Sequence, residues 1–280
     1  MKTQLIKIPK NAKIRIKDFS ADYSEGFKDR SEVKKQLKKN LEKMSELQNI
    51  LYAHDKYSLL IILQAMDAGG KDGTIRTVMS GVNPQGCQVF NFKKPSDEEL
   101  DHDYLWRIHK SIPERGRIGI FNRSYYEEVL VARVHKEILE KQKLPDELVT
   151  KDIWKDRFTQ INNFEQYLYQ NGIRIVKLFL YISKDEQRNR FIERQKDPTK
   201  NWKLSKLDIE ERKYWDNYMV AFEDMINNTS TKWAPWHIIP SNKKWYRNYI
   251  VSEIVAKELK SLKMAFPKLS DKSLINLKID

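Results

Sequence analysis

Tyr57-Ser-Leu-Leu-Ile-Ile-Leu-Gln64 runs straight into Ala65-Met-Asp-Ala-Gly-Gly-Lys-Asp-Gly-Thr74, and few folds can use that junction. An apolar run of strand length ends in a turn holding Gly69, Gly70 and Gly73 around Lys71, and Ile75-Arg-Thr-Val-Met79 then reads as the opening of a helix. Strand, glycine-rich loop and helix start form a phosphate-binding unit. The glycines let backbone N–H groups turn inward, the helix start adds partial positive charge, and Lys71 adds a full one. The usual G-x-x-x-x-G-K-[ST] spelling is absent, because Asp72 and Gly73 separate Lys71 from Thr74. Read alone, these residues also fit an ordinary strand-to-helix turn.

Composition narrows the partners. Lys and Arg number 52 against 39 Asp and Glu, a formal charge of +13, which suits polyanions: nucleic acid, an anionic membrane surface or a phosphate-rich substrate. A hydrophobic content of 40% supports a folded interior within 280 residues. Cys87 is the single cysteine, so no intrachain disulfide forms. No apolar run reaches the ~18 residues of a membrane span, and no signal-peptide core opens the chain. The expectation is a cytoplasmic protein.

Residues 1–30 lack periodicity and read as an arm that lies on something else. From Ser31, Leu37, Leu41, Met44 and Leu51 fall at helical spacing, an N-terminal helical extension leading into the central strand. Cys87–Phe92 reads as a short strand with Lys93 and Lys94 at its carboxyl end, where parallel sheets bind ligands. Ser96-Asp-Glu-Glu99 fits a capping box that starts one helix through Leu100, Tyr104, Leu105 and Ile108. Ile118–Phe121 is the next buried strand, ending in Asn122-Arg123-Ser124. An acidic residue commonly helps hold Mg²⁺ at that position in phosphate-loop enzymes. Here an amide stands there, leaving Asp67 as the expected metal ligand and Asn122 as a ligand through water.

A helix from Tyr125 to Val134 is expected to carry Glu127 and Arg133 near the ligand end, with Glu128 on its wet face. Trp154, Phe158, Ile161, Phe164 and Leu168 mark a long core helix closed by Asn171-Gly172. Arg174–Ile182 is a strand, and Ser183 with Glu186 caps the helix carrying Arg188, Arg190 and Arg194. Arg190 and Arg194 are four residues apart, so on one helix face they repel unless an anion lies between them. With Lys200, Lys203 and Pro198 beyond, about 184–215 reads as a lid closing on phosphates. One further amphipathic helix runs from Leu207 through Met225. Trp236–Pro240 is a last strand with His237 in the core, Tyr249–Leu259 a last helix, and 264–280 a tail.

Four blocks together resemble the type-2 polyphosphate kinase family: Met66-Asp-Ala-Gly-Gly-Lys-Asp-Gly-Thr74, Phe92-Lys-Lys-Pro95, Phe121-Asn-Arg-Ser-Tyr-Tyr126, and Arg190 through Asp197-Pro-Thr-Lys-Asn-Trp-Lys203. The resemblance implies one thymidylate-kinase-like P-loop domain over 1–280, an α/β/α sandwich around a parallel sheet. It implies phosphoryl transfer between inorganic polyphosphate and AMP, ADP or ATP, reversibly, with Mg²⁺ or in its place Mn²⁺. It also implies a homo-oligomer, dimer or tetramer, with neither nucleic acid nor membrane as partner. By the same resemblance Asp67, Lys71, Arg123 and Arg190 are catalytic. Gly69, Gly70, Gly73, Thr74, Lys93, Lys94, Asn122, Glu127, Arg133, Arg194 and Lys203 bind nucleotide or phosphate. Asn122, where most relatives carry Asp, resembles the class III subgroup that accepts both AMP and ADP.

Two other functions share parts of this pattern. An ATP-dependent nucleoside monophosphate kinase shares the loop and lid but needs no long basic track, and it would act with ATP and not with polyphosphate. A nucleic-acid-binding protein would interleave exposed aromatics with Lys and Arg, whereas the aromatics here sit on apolar stripes.

Overall fold

The computed structural model describes residues 6–268, so the first residues of the arm and the tail from 269 onward lie outside the described residues. Five strands form one parallel sheet: β1 (Ser58–Gln64), β2 (Cys87–Asn91), β3 (Ile118–Asn122), β4 (Ile173–Tyr181) and β5 (Trp236–Pro240), in the order β2-β3-β1-β4-β5. Every residue of β1 is buried, as expected of a central parallel strand covered on both faces. Its alternation divides the interior. Leu60 and Ile62 enter one apolar cluster, while Leu59, Ile61 and Leu63 enter the other.

The helices are α1 (Arg30–His54), α2 (Lys71–Val78), α3 (Asp97–Leu100), α4 (Trp106–His109), α5 (Glu127–Val134), α6 (Lys136–Glu140), α7 (Ile153–Gln170), α8 (Lys184–Lys196), α9 (Lys206–Glu211), α10 (Trp215–Thr229) and α11 (Lys244–Ser261). Residues of α1, α2 and α11 build the cluster on one face; residues of α5, α7 and α10 build the other. This is the three-layer α/β/α sandwich expected. Because β1 lies between β3 and β4, the crevice at its carboxyl end opens between chain connections that leave in different directions, the usual ligand position in such sheets.

The arm does lie on something. Ile8 N–H donates to Trp236 O and Ile238 N–H to Ile6 O, both at 2.8 Å, so the arm shields the outer edge of β5. Ile8 and Ile16 of the arm are themselves buried.

Several local expectations are corrected. The Ser96 capping box is present, but its helix stops at Leu100 and a second turn begins only at Trp106, because Asp103 breaks the register and accepts from Leu105 N at 2.9 Å. The segment expected as one helix from Leu207 is α9, a 3-10 turn at Arg212–Tyr214 and then α10. The last helix starts at Lys244, five positions ahead of Tyr249. Glu128 is not on a wet face: it is 7% exposed and accepts from Arg157 Nε at 2.9 Å and Gln142 Nε2 at 2.6 Å. A buried carboxylate is tolerated there because it is paired and hydrogen-bonded.

Candidate functional site

The loop after β1 is shaped by what its glycines must avoid. Gly70 caps α2 with φ +102°, and a Cβ there would stand 1.9 Å from Arg247 Nη1. A Cβ on Gly69 would meet Ala65 Cβ at 2.6 Å. Only glycine fits either place. Ala68, at φ +60°, carries comparable strain without that freedom. Thr74 sits 1% exposed with its hydroxyl donating back to Gly70 O at 3.0 Å, which closes the first turn of α2 on the loop. The amides of that first turn have no acceptor within the helix and are free to meet an anion.

Lys71 opens α2, and its Nζ donates to Ala65 O at 3.0 Å. Burial, and after it the charge of Arg123, pushes its pKa down from the usual lysine value. Arg123 stands at the end of β3 with φ +65°, its N–H donating to Leu63 O at 3.1 Å, which turns the side chain back over the loop. Its guanidinium reaches Asp67 Oδ1 at 2.9 Å and Glu127 Oε2 at 3.6 Å. Glu127, chiefly, holds Arg123 above its ordinary pKa. Burial raises Glu127 in turn, against the opposing pull of Arg123 and Lys71. Asp67, Lys71, Arg123 and Glu127 are thus gathered at the carboxyl ends of β1 and β3.

A second knot lies beside the first. Asn122 Nδ2 donates to Asp72 Oδ1 at 2.9 Å, and Lys203 Nζ reaches Asp72 Oδ2 at 3.2 Å. Burial pushes Asp72 up, but the bonds from Asn122 and Lys203 outweigh it and hold the carboxyl below its usual range. Asn122 Oδ1 is buried with no hydrogen-bond partner. A hard oxygen left without a donor, on an amide that bonds the Asp72 carboxylate at the start of α2, fits a divalent cation or its water. Among the described residues no cluster of three or more His, Cys, Asp or Glu could hold a metal by itself.

Arg123 and Glu127 also line a cleft of about 740 Å³, walled by Phe92–Pro95, Tyr104, Arg107, Val131, His135 and the Leu207–Tyr214 segment. Lys93 and Lys94 are exposed at its edge, and Arg107 Nη1 donates to Lys93 O at 2.9 Å, fixing that strand end. Across the cleft, His135 Nε2 pairs with Glu211 at 3.0 Å, joining α5 to the segment expected to act as a lid.

Three expected site residues have partners within the protein. Arg190 is not a lid residue: it is 5% exposed, and its nitrogens donate to Glu186 Oε1, Ala68 O, Ser241 O and Asn242 O at 2.5–2.9 Å. With its donors spent on protein acceptors, it buttresses the loop from behind. Arg194 stands over the Phe191 ring of the same helix at 5.5 Å. Arg133 turns away from the cleft to Asp224, 2.5 Å distant on α10. Arg247 and Gln187 escaped sequence reasoning. Gln187 Nε2 donates to Asp67 O at 2.8 Å, and Arg247, far along the chain, packs on Gly70. Neither carries a local signal, since each merely looks like a polar position on a helix.

Comparison with known proteins agrees with this geometry. The family model described as Polyphosphate kinase 2 (PPK2) matches residues 27–267. An ADP-polyphosphate phosphotransferase of Rhodopseudomonas palustris is 47% identical over 269 residues, covering 96% of this chain and 93% of that protein. An AMP/ADP-polyphosphate phosphotransferase of Meiothermus ruber is 48% identical over 226 residues, covering 81% of this chain and 80% of its own. The crystal structure of Polyphosphate Kinase 2 from Arthrobacter aurescens TC1 superposes with a TM-score of 0.88 at 37% identity, covering 96% of this chain and 93% of that one. The likeness therefore runs through sheet, loop and flanking helices alike, and the chain belongs to the polyphosphate kinase 2 family.

Proposed function

We propose that the chain transfers phosphoryl groups from inorganic polyphosphate to ADP and AMP, reversibly and with Mg²⁺. The observation that carries this reading is the joining of the phosphate loop to a separate, basic-rimmed cleft by two shared residues, Arg123 and Glu127. A donor phosphate held on the loop and an acceptor held in the cleft would meet at that boundary. The name of the Rhodopseudomonas relative supports ADP, and that of the Meiothermus relative supports both AMP and ADP.

Phosphoryl transfer asks the protein mainly for positioning and charge neutralisation. Lys71 and the first-turn amides of α2 would hold the donor's terminal phosphate. Arg123, itself oriented by Asp67 and Glu127, would neutralise charge that develops on the transferred group. Lys93 and Lys94 would draw phosphates to the cleft edge, and Lys203 would bring positive charge from the lid segment toward Asp72. Asp67, Asp72 and the unpartnered oxygen of Asn122 would hold the Mg²⁺, which when bound shields phosphate oxygens.

Incubation with polyphosphate, Mg²⁺ and AMP or ADP, followed by chromatography of the nucleotides, tests the proposal. ADP and ATP should appear from AMP only when polyphosphate and Mg²⁺ are both present. Product formation that requires ATP as donor would overturn it in favour of a nucleoside monophosphate kinase.

A further inference from the structure

Among the described residues, Arg247 is a buried cation with no carboxylate partner. It sits on the first turn of α11, 3% exposed, and its guanidinium spans the loop: a Cβ on Gly70 would stand 1.9 Å from Nη1 and one on Gly73 3.5 Å from Nη2. Among the described residues its hydrogen bonds go to Asn248 Oδ1, at 3.1 and 3.0 Å, and to Gly69 O at 3.5 Å. All are neutral acceptors, and no carboxylate forms an ion pair with it. Burial, followed by repulsion from Arg190, depresses its pKa to about 9.

Burying an arginine without a counter-charge is costly, and proteins ordinarily pair it or replace it with an apolar side chain. The contrast with Arg190 is informative. Arg190 is equally buried behind the same loop but bonds four protein acceptors, one of them the carboxylate of Glu186. Arg247 instead faces the turn where Lys71 and the unpaired amides of α2 already concentrate positive charge. A buried cation placed beside a positive helix end raises the free energy of the empty loop. An anion on the other side of Gly70 lowers it again.

We infer that Arg247 is a positioning residue for polyphosphate, acting through the Gly69–Gly70 backbone: its uncompensated charge makes the loop an anion trap whose cost is carried by the unliganded protein and recovered when the donor chain binds. This rests on the reading of the loop as the polyphosphate site. It sets Arg247 apart from a mere brace, because it predicts opposite signs for stability and affinity. Neutralising the residue should leave the unliganded protein as stable or more so, while weakening anion binding. A brace would lose stability and leave affinity for the anion where it was.

The test uses the full chain, with inorganic tripolyphosphate as probe, in calorimetric titration and thermal unfolding. Arg247→Met and Arg247→Gln should show an unliganded Tm equal to or above that of the parent, tripolyphosphate binding weakened about 10- to 100-fold, and KM for polyphosphate raised more than kcat is lowered. Arg247→Lys, which keeps the charge, should restore most of the affinity. Lys71→Ala separates anion binding at the loop from the contribution of Arg247. If the parent and Lys71→Ala bind tripolyphosphate equally, or neither binds it, the loop reading fails. If the parent binds, Lys71→Ala does not, and both neutral Arg247 variants bind like the parent or fail to fold, the loop reading stands and the role of Arg247 is overturned.

Discussion

Arg123 donates to Asp67 across 2.9 Å while standing 3.6 Å from Glu127, so one guanidinium ties the loop after β1 to the start of α5. Glu127 lies four residues further along the chain, whereas Asp67 lies 56 residues away. The contact exists because β1 and β3 are adjacent and parallel, with Leu63 level with Asn122. Any change that frees Arg123 therefore disturbs the loop and the cleft together.

The charge state of Glu127 should set the acid limb of activity. Its folded pKa is raised above the usual 4.5, so over the window between the two values the folded protein holds a proton that the unfolded chain has lost. Stability gained from this group is largest below 4.5 and is lost as pH rises through the raised value. Activity runs the other way, because only ionised Glu127 orients Arg123. The kcat/KM profile should fall on the acid side at a pH above the ordinary carboxylate range, and Glu127→Gln should remove that inflection. An identical acid limb in both proteins would place it on another group.

Lys71 should be needed for rate and dispensable for folding. Removing one preorganised donor from such a site costs about 10²–10³ in rate. Lys71→Ala is expected to lose that much kcat with Tm unchanged, since among the described residues its ammonium bonds only Ala65 O. Retention of more than about a tenth of parental activity would assign the phosphate to another cation.

Asn122→Asp would set two carboxylates against each other where an amide now donates to Asp72 at 2.9 Å. Without metal, Tm should fall, and Mg²⁺ should recover more of it than in the parent. The kcat/KM for AMP should drop more than that for ADP, because added negative charge at this point changes which acceptor phosphate is tolerated. Equal effects on both acceptors would locate their discrimination elsewhere in the cleft.

Below the site, Lys177 is fully buried in β4 and donates to Glu165 Oε2, Tyr126 Oη and Thr229 O at 2.6–2.8 Å. Tyr125 and Tyr126 both donate to Glu165 Oε1, so this network seats the segment that carries Arg123 and Glu127. Lys177→Met leaves a buried carboxylate unpaired and should cost about 3–5 kcal/mol, read from denaturant unfolding. Adding Glu165→Gln should return much of that loss. A double variant as unstable as the single one would show that the charge pair is not the source.

Lys203 bridges to Asp72 from a segment of exposed residues, with Trp202 74% exposed beside it. Proteolysis between Lys196 and Lys203 should slow when polyphosphate is added, and the protection should weaken as salt screens the charges over ~10 Å at 0.1 M. Cleavage indifferent to polyphosphate would mean that this segment does not close on the substrate.

The strands and the loop were legible in the sequence because each rests on local chemistry, whereas the strand order β2-β3-β1-β4-β5 came from the structure. A run such as Leu59–Leu63 can be buried on both faces only as a central strand, and Gly69, Gly70 and Lys71 declare a phosphate turn by backbone freedom and charge. Capping signals at Ser96 and Ser183 were equally local, and both formed. What packing alone decided was which charges face the ligand. Glu128, Arg190 and Arg133 look like site or surface residues by type and spacing, yet each is absorbed by an acceptor or donor from a distant element: Arg157, Ala68 O and Asp224. Arg247 shows the reverse, an unremarkable helical arginine brought against Gly70 by the docking of α11. A charged side chain reports its chemistry in the sequence; its partner, and hence whether that charge is spent or still available, is set by contacts between elements far apart in the chain.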